Sequence, residues 1–431
     1  MAILALGVFS ILLAHSSAQS AVAQPGDPIT FARDVAPILQ ENCQACHRPG
    51  SIGPMSLMTY EEVRPWAHVI RLRVETRTMP PWHIDDAVGI AKFQNDVSLS
   101  DEEIDSIVRW IEGGMERGDP ADLPKPIDWP DGRGWQRAQE LGKPDLVIRS
   151  DPYTVRASGQ DQWWSPVVET GLHESRYVRA IELKPSDPLG NRVTHHVMLF
   201  TLHDGRQELL TEWAMGKVGE VMPAETGRLI EAGSEIRWDI HYSPIGQEVP
   251  DDRVELALWF HPEGYEPEYR NALELFRAEP MDGRPRGAAI DIQPGEVRTV
   301  QGIHRLEQPV RIESFQPHMH LRGREMTLEV IYPDGRREIL SRIDRFHHNW
   351  QISYRYAEEV MPLLPAGSRL VLTAVHDNSE QNPNNPDPSQ WVGFGRRTVD
   401  EMAHAWIGIT HLDQEGYERL LREREAKATS R

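Results

Sequence analysis

Two thiols and an imidazole stand together at Cys43-Gln44-Ala45-Cys46-His47. Cysteines three apart followed directly by histidine form the attachment pattern of a c-type haem. The thiols can form thioethers to the two vinyl groups, and His47 then lies under the iron as an axial ligand. A redox dithiol or half a zinc site is the competing reading, and the following histidine argues against both. For the opposite axial position, Thr78-Met79-Pro80-Pro81-Trp82 carries a thioether on a rigid Pro-Pro segment. Met79 is the candidate there, with Met55, Met58 and His83 as competitors. A His/Met pair raises the potential and leaves no open position on iron, which suits electron transfer.

A second set of ligand types lies further along. It comprises Thr194-His195-His196-Val197-Met198, Asp239-Ile240-His241-Tyr242-Ser243, Pro317-His318-Met319-His320 and Asp400-Glu401-Met402. Residues two apart on a strand share a face, so His318 and His320 can grip one metal. Adjacent residues point to opposite faces. His195 and His196 can therefore share a metal only at a strand end or bulge, or through different ring nitrogens. His241 can then close a three-imidazole site from a neighbouring strand. Imidazoles suit copper, zinc, iron or nickel, and a thioether favours soft Cu(I), so two histidines plus Met402 favour reduced copper. Taken singly, a histidine pair in a strand is more often structural. His347-His348, His203, His261, His304, His376, His404 and His411 receive that bland reading.

The order of the clusters resembles the copper type II, ascorbate-dependent monooxygenases, the family of peptidylglycine α-hydroxylating monooxygenase and dopamine β-monooxygenase. The likeness covers roughly residues 145–413. It includes the approach to the His-His strand over Tyr177 to Leu199 and the segment from Glu212-Trp213-Ala214 through Pro223, Gly227 and Gly233 to His241-Tyr242. Arg396 to Met402 is similar to the family's Glu-Met motif with its upstream Gly-rich turn. By this resemblance His195, His196 and His241 match a copper that stores and relays an electron. His318, His320 and Met402 match the catalytic copper, where oxygen binds and C–H cleavage occurs. The resemblance also implies two jelly-roll β-sandwiches whose coppers face each other across a solvent-filled cleft. The chain departs from the animal enzymes in lacking disulfides there, since its only cysteines are Cys43 and Cys46. Ala403 stands where those enzymes have a cysteine.

The surrounding pattern predicts how these groups are carried. Residues 1–23 read as an export signal, an apolar run from Ile3 to Ala14 followed by Ala21-Val22-Ala23. An uncleaved N-terminal anchor is the alternative. Residues 28–118 read as helical, with Phe31, Val35, Ile38 and Leu39 at helical spacing and a helix opening at Ser100 with Glu103 as its capping box. Residues 119–144 read as a linker. Short alternating runs punctuated by Gly, Pro and Asp predict two all-β sandwiches over 145–280 and 281–413. The tail, 414–431, reads as a charged, solvated helix. The expected fold is thus a small all-α cytochrome c domain followed by two all-β jelly-roll-type sandwich domains.

The net charge of −20 argues against nucleic acid or an anionic membrane as partner, and nothing after the leader is apolar enough to span a bilayer. The haem motif and the leader, with what the resemblance implies, give the expectation of a periplasmic or otherwise exported copper-dependent monooxygenase with covalent haem c and two copper ions. It would act on O2 and a small organic substrate, and its electron donor would be a soluble cytochrome, a quinol-linked donor or an ascorbate-like reductant. The alternative is a non-enzymatic haem/copper electron-transfer or copper-binding protein. A zinc hydrolase fits less well, because it leaves the His-X-His and Met cluster without a role.

Overall fold

The computed structural model describes residues 28–129, 134–215, 217–280 and 283–429. The leader read over residues 1–23 lies outside them. Among the described residues, no helix is long and apolar enough to cross a membrane.

Strand alternation builds most of the molecule. Along Thr194–His203, Val197 and Leu199 are fully buried; along Glu235–Tyr242, Ile236, Trp238 and Ile240 are. Side chains two apart share a face, so one row of each strand faces a core. These rows pack against Val178, Ile181 and Leu183 of Arg176–Pro185 and Leu256 and Leu258 of Val254–Phe260. A second core joins Ile312 and Phe315 of Val310–His318 and Ile407 and Ile409 of His404–His411 to Met326, Leu328, Leu370 and Leu372.

A ten-stranded sheet runs through both halves. Its continuity rests on a short parallel pairing of Thr226–Ile230 with Tyr269–Arg277, where Tyr269 opposes Thr226. A five-stranded sheet centred on Glu235–Tyr242 and Thr194–His203 covers its first half. A four-stranded sheet, in the order Val297–Arg305, Arg369–Asp377, Gly323–Ile331, Arg337–Ile343, covers the second.

This architecture corrects the expected fold class. The chain is mostly β-sandwich, with 18% helix, and no separate all-α cytochrome c domain forms at the N-terminus. The helices there are short: Ala36–Asn42, Tyr60–Val63, Ala67–Glu75 and Asp101–Glu112. They gather Phe31, Leu39, Val63, Ile70 and Trp110, but the segment between the last two leaves them. Trp82, Ile84 and Phe93 bury themselves in the core of the second sandwich. Ile84 bridges to Ile343 and Phe93 to Tyr356, and Asp85 pairs with Arg342. The reason is burial: these large apolar side chains find more apolar surface on the sandwich than so small a helical cluster offers. The β region has two cores, one for each half, and one sheet joins them. The pairing that fuses the two halves is long-range and leaves no local signal in the pattern.

Two smaller elements also dock. Trp135, Ala138 and Leu141 of the expected linker pack on Ala180, Ala257 and Trp259. The terminal helix, Gln414–Thr429, is not simply solvated: Tyr417, Leu420 and Leu421 pack on Tyr269, Leu363 and Leu412.

Candidate metal centre

The His-His strand solves its facing problem with a bulge. His241 pairs with His196, but Tyr242 pairs with Thr194, so His195 is the extra residue. A bulge re-aims a side chain that would otherwise point to the opposite face. In consequence His195, His196 and His241 each offer a ring nitrogen within 4.8 Å of the others. The Nδ1 atoms converge: that of His196 lies 3.2 Å from His195 Nδ1 and 3.3 Å from His241 Nδ1. All three rings sit in a small wedge, with centroids 4.8 to 5.5 Å apart.

Burial sets the protonation state. It holds His196 well below the usual imidazole range and takes His195 down to about 4, with neighbouring imidazoles acting in the same direction. The His195 and His196 rings are therefore neutral near pH 7, which is the form that donates a lone pair to a metal. Trp163, directly across the strand pair from His241, stacks on it at 4.2 Å and 8°.

His318 ends the strand Val310–His318, and Met319 turns the other way into the core with no exposed surface. His318 and His320 thus share a side, their rings 5.2 Å apart. Both have their outer nitrogen occupied. His318 Nδ1 meets the Gln351 carbonyl oxygen Oε1, and His320 Nδ1 donates to the Asp400 carbonyl at 3.0 Å. Each is left with Nε2 for a metal, the orientation that partners beyond the ligand shell usually impose on ligating histidines. Burial lowers both, His318 well below the usual range and His320 to about 4.

Met402 follows Glu401, whose carboxylate ties this segment to the turn at His320. That buried carboxylate accepts the backbone N–H of His320 at 3.0 Å and of Arg322 at 2.6 Å, and burial pushes it up to about 7. His376 Nε2–H donates to the Met402 carbonyl at 3.0 Å. The next strand begins at His404, whose ring stacks on His318 at 4.4 Å and whose Nε2 is buried without a hydrogen-bond partner. The two ligand groups adjoin: the rings of His196 and His318 are 5.9 Å apart, edge to face.

In the N-terminal segment, Cys43 and Cys46 are free thiols on one helical turn, with the His47 N–H on the Cys43 carbonyl at 2.9 Å. Burial raises both thiols, Cys43 to about 12. A redox dithiol needs a lowered thiol pKa, so this environment disfavours thiol–disulfide exchange. His47 Nδ1 donates to the Met55 carbonyl at 3.2 Å, leaving Nε2 for iron. Gly53 makes room for the ring, since a Cβ there would stand 2.6 Å from His47 Nδ1. Gly53→Ala is therefore expected to displace the His47 ring and, with haem attached at Cys43 and Cys46, to shift the haem absorbance spectrum; an unchanged spectrum would show that the His47 ring is not held by this contact.

Met79 is half-buried, its N–H on the Arg73 carbonyl at 3.2 Å. Met55, rather than Met79, packs on the helical cluster together with Cys43. His83 follows Trp82 toward the sandwich, its N–H on the Tyr354 hydroxyl at 3.2 Å. Sequence reasoning missed Asp161, Trp163, Gln351 and His376, which touch or align the ligand residues. Asp161-Gln162-Trp163-Trp164 had a readable signal, since Asp161 and Trp163 are two apart and share a face.

No family model matches the chain, and no curated protein matches it in sequence. Solved structures similar to it include the VP2 subviral particle of infectious bursal disease virus, at 11% identity and a TM-score of 0.18, over 65% of this chain and 78% of that one. Another is an uncharacterized protein, lmo2446, from Listeria monocytogenes, at 9% identity and a TM-score of 0.16, over 63% of this chain and 19% of that one. A third is the M60 catalytic domain with the CBM51-1 and CBM51-2 domains from Clostridium perfringens ZmpB, at 8% identity and a TM-score of 0.14, over 62% of this chain and 38% of that one. Likenesses this weak carry no argument about function.

Proposed function

We propose that the chain is an exported copper-dependent monooxygenase that hydroxylates a C–H bond of a small organic substrate with O2, with electrons entering through a haem attached at Cys43 and Cys46. The observation that carries this reading is the convergence of the nitrogens of half-buried His195 and buried His196 and His241 beside a second, adjoining pair of buried histidines. When bound, copper at these ligands would supply one-electron chemistry and oxygen activation, and the haem would supply electrons.

The chain's own residues have distinct tasks. His195, His196 and His241 offer three imidazoles, a set that suits either copper oxidation state. His318, His320 and Met402 offer two imidazoles and a thioether, a softer set that favours Cu(I). Gln351 and the Asp400 carbonyl fix the tautomers of the second set, and Glu401 and His376 fix its backbone. Burial keeps bulk water from His196, His241, His318, His320 and Met402, while His195 is half-buried. His47 and Met79 are assigned as the axial pair of the haem. The electron donor is a soluble cytochrome, a quinol-linked donor or an ascorbate-like reductant.

The test is oxygen uptake by the copper-loaded full chain against a library of small organic substrates. Substrate-dependent uptake with a hydroxylated product is the expected result. Copper and haem without substrate-dependent uptake would instead assign the chain to non-enzymatic electron transfer or copper handling.

A further inference from the structure

We infer that Asp161 is a positioning residue for the three-histidine site, and that it latches the loop leading to Met402 onto that site. The inference rests on the copper reading above and adds a residue that no ligand pattern contains.

The geometry around His241 points to it. With Nδ1 turned toward His195 and His196, the other ring nitrogen must face away. His241 Nε2 is buried without an aligned hydrogen bond, and Asp161 Oδ2 is the carboxylate oxygen beside it, at 3.2 Å. The His241 side chain is only 2% exposed, so the carboxylate is a charged partner held against a water-poor ring. A carboxylate so placed takes up the outer N–H of an imidazole when its inner nitrogen ligates, which fixes the tautomer and makes that nitrogen a stronger donor.

Asp161 is itself held from two sides. Thr398 Oγ1 donates to Oδ2 at 3.0 Å, and Ser243 Oγ donates to Oδ1 at 3.4 Å. Thr398 sits four residues before Met402. Its neighbour Arg396 lies over the Trp163 ring at 4.4 Å and donates to Asp239 at 2.7 Å. Trp163 carries His241 on its ring. The loop that delivers Met402 to the second ligand group is therefore fastened, through Thr398 and Arg396, to the two residues that orient His241. Displacing that loop must disturb His241, and releasing His241 must free that loop.

The experiment uses the full chain with Cu(II) as the probe. Copper affinities are measured by competition titration, the Cu(II) sites by electron paramagnetic resonance, and the Cu(II)/Cu(I) potential by redox titration. Asp161→Asn is expected to weaken one of two coppers about 10- to 100-fold, alter its nitrogen hyperfine pattern and raise its potential, because the imidazole donates less charge. Asp161→Glu is expected to restore part of the affinity. Thr398→Val keeps the carboxylate and should shift the same site in the same direction by less; it carries the test if Asp161→Asn does not unfold cooperatively. Unchanged affinity, spectrum and potential in these variants would overturn the inference while leaving the copper reading in place. A wild-type chain that binds no copper would overturn both.

Discussion

Replacing His318 and His320 together by alanine is expected to remove one of two bound coppers and abolish substrate-dependent oxygen uptake. The two imidazoles are the only nitrogen donors assigned to the second site, and a lone thioether at Met402 cannot hold the ion. The three-histidine site draws on other strands and is expected to keep its copper. The fold is expected to survive, because the apolar rows of Val310–His318, including Ile312 and Phe315, and Met319 beyond its end remain packed. Copper per chain falling from about two to about one, with cooperative unfolding retained, is the predicted outcome. Retention of both coppers would show that these residues are not ligands.

The second large effect is expected at Glu401. This residue has no exposed surface, and its carboxylate closes the turn at His320–Arg322 by accepting two backbone N–H groups. Glu401→Ala leaves both donors buried and unpaired. At about 1–3 kcal/mol for each orphaned group, the loss is on the order of 2–6 kcal/mol, a large share of a typical domain's stability. The same change frees His320 and Met402 from one another, so copper at the second site is expected to weaken more than at the first. Glu401→Gln keeps an acceptor and a similar shape and is expected to lose less on both counts. Denaturant unfolding and copper titration check the two effects; a stability change below about 1 kcal/mol for Glu401→Ala would contradict this account of the turn.

The comparison of residues with structure shows what kind of information the chain carries locally. The shared side of His318 and His320 was legible because an extended chain places residues two apart on one side, and just past the strand's end Met319 between them is directed to the core. His195 and His196 were legible as a condition, that a bulge or strand end must be present, and the register shift opposite His241 and Tyr242 supplies it. The Ser100–Glu103 capping box and the stop at Gly113 were readable for the same reason, since their hydrogen bonds close within a few residues.

What was not legible is long-range. Nothing near Trp82, Ile84 or Phe93 announces that they will bury against a strand some 250 residues away, so the N-terminal segment read as a self-contained helical domain. The parallel pairing at Thr226 and Tyr269 that fuses the sheets is equally silent in the local pattern. His376 and His404 were given a structural reading. The former holds the Met402 carbonyl, and the latter lies face to face with His318. Asp161 and Gln351 reach their histidines across 80 and 33 residues of sequence; such partners become visible only once the strands are aligned.

The most direct test of the central claim is the metal content of the full chain, expressed for export in a host that matures c-type haem. Iron, copper and zinc are quantified per chain after copper loading and removal of loosely bound ions. The account predicts one haem iron and about two coppers per chain. Zinc alone, or no second metal beside the haem iron, would contradict it and leave the converging histidines as packing.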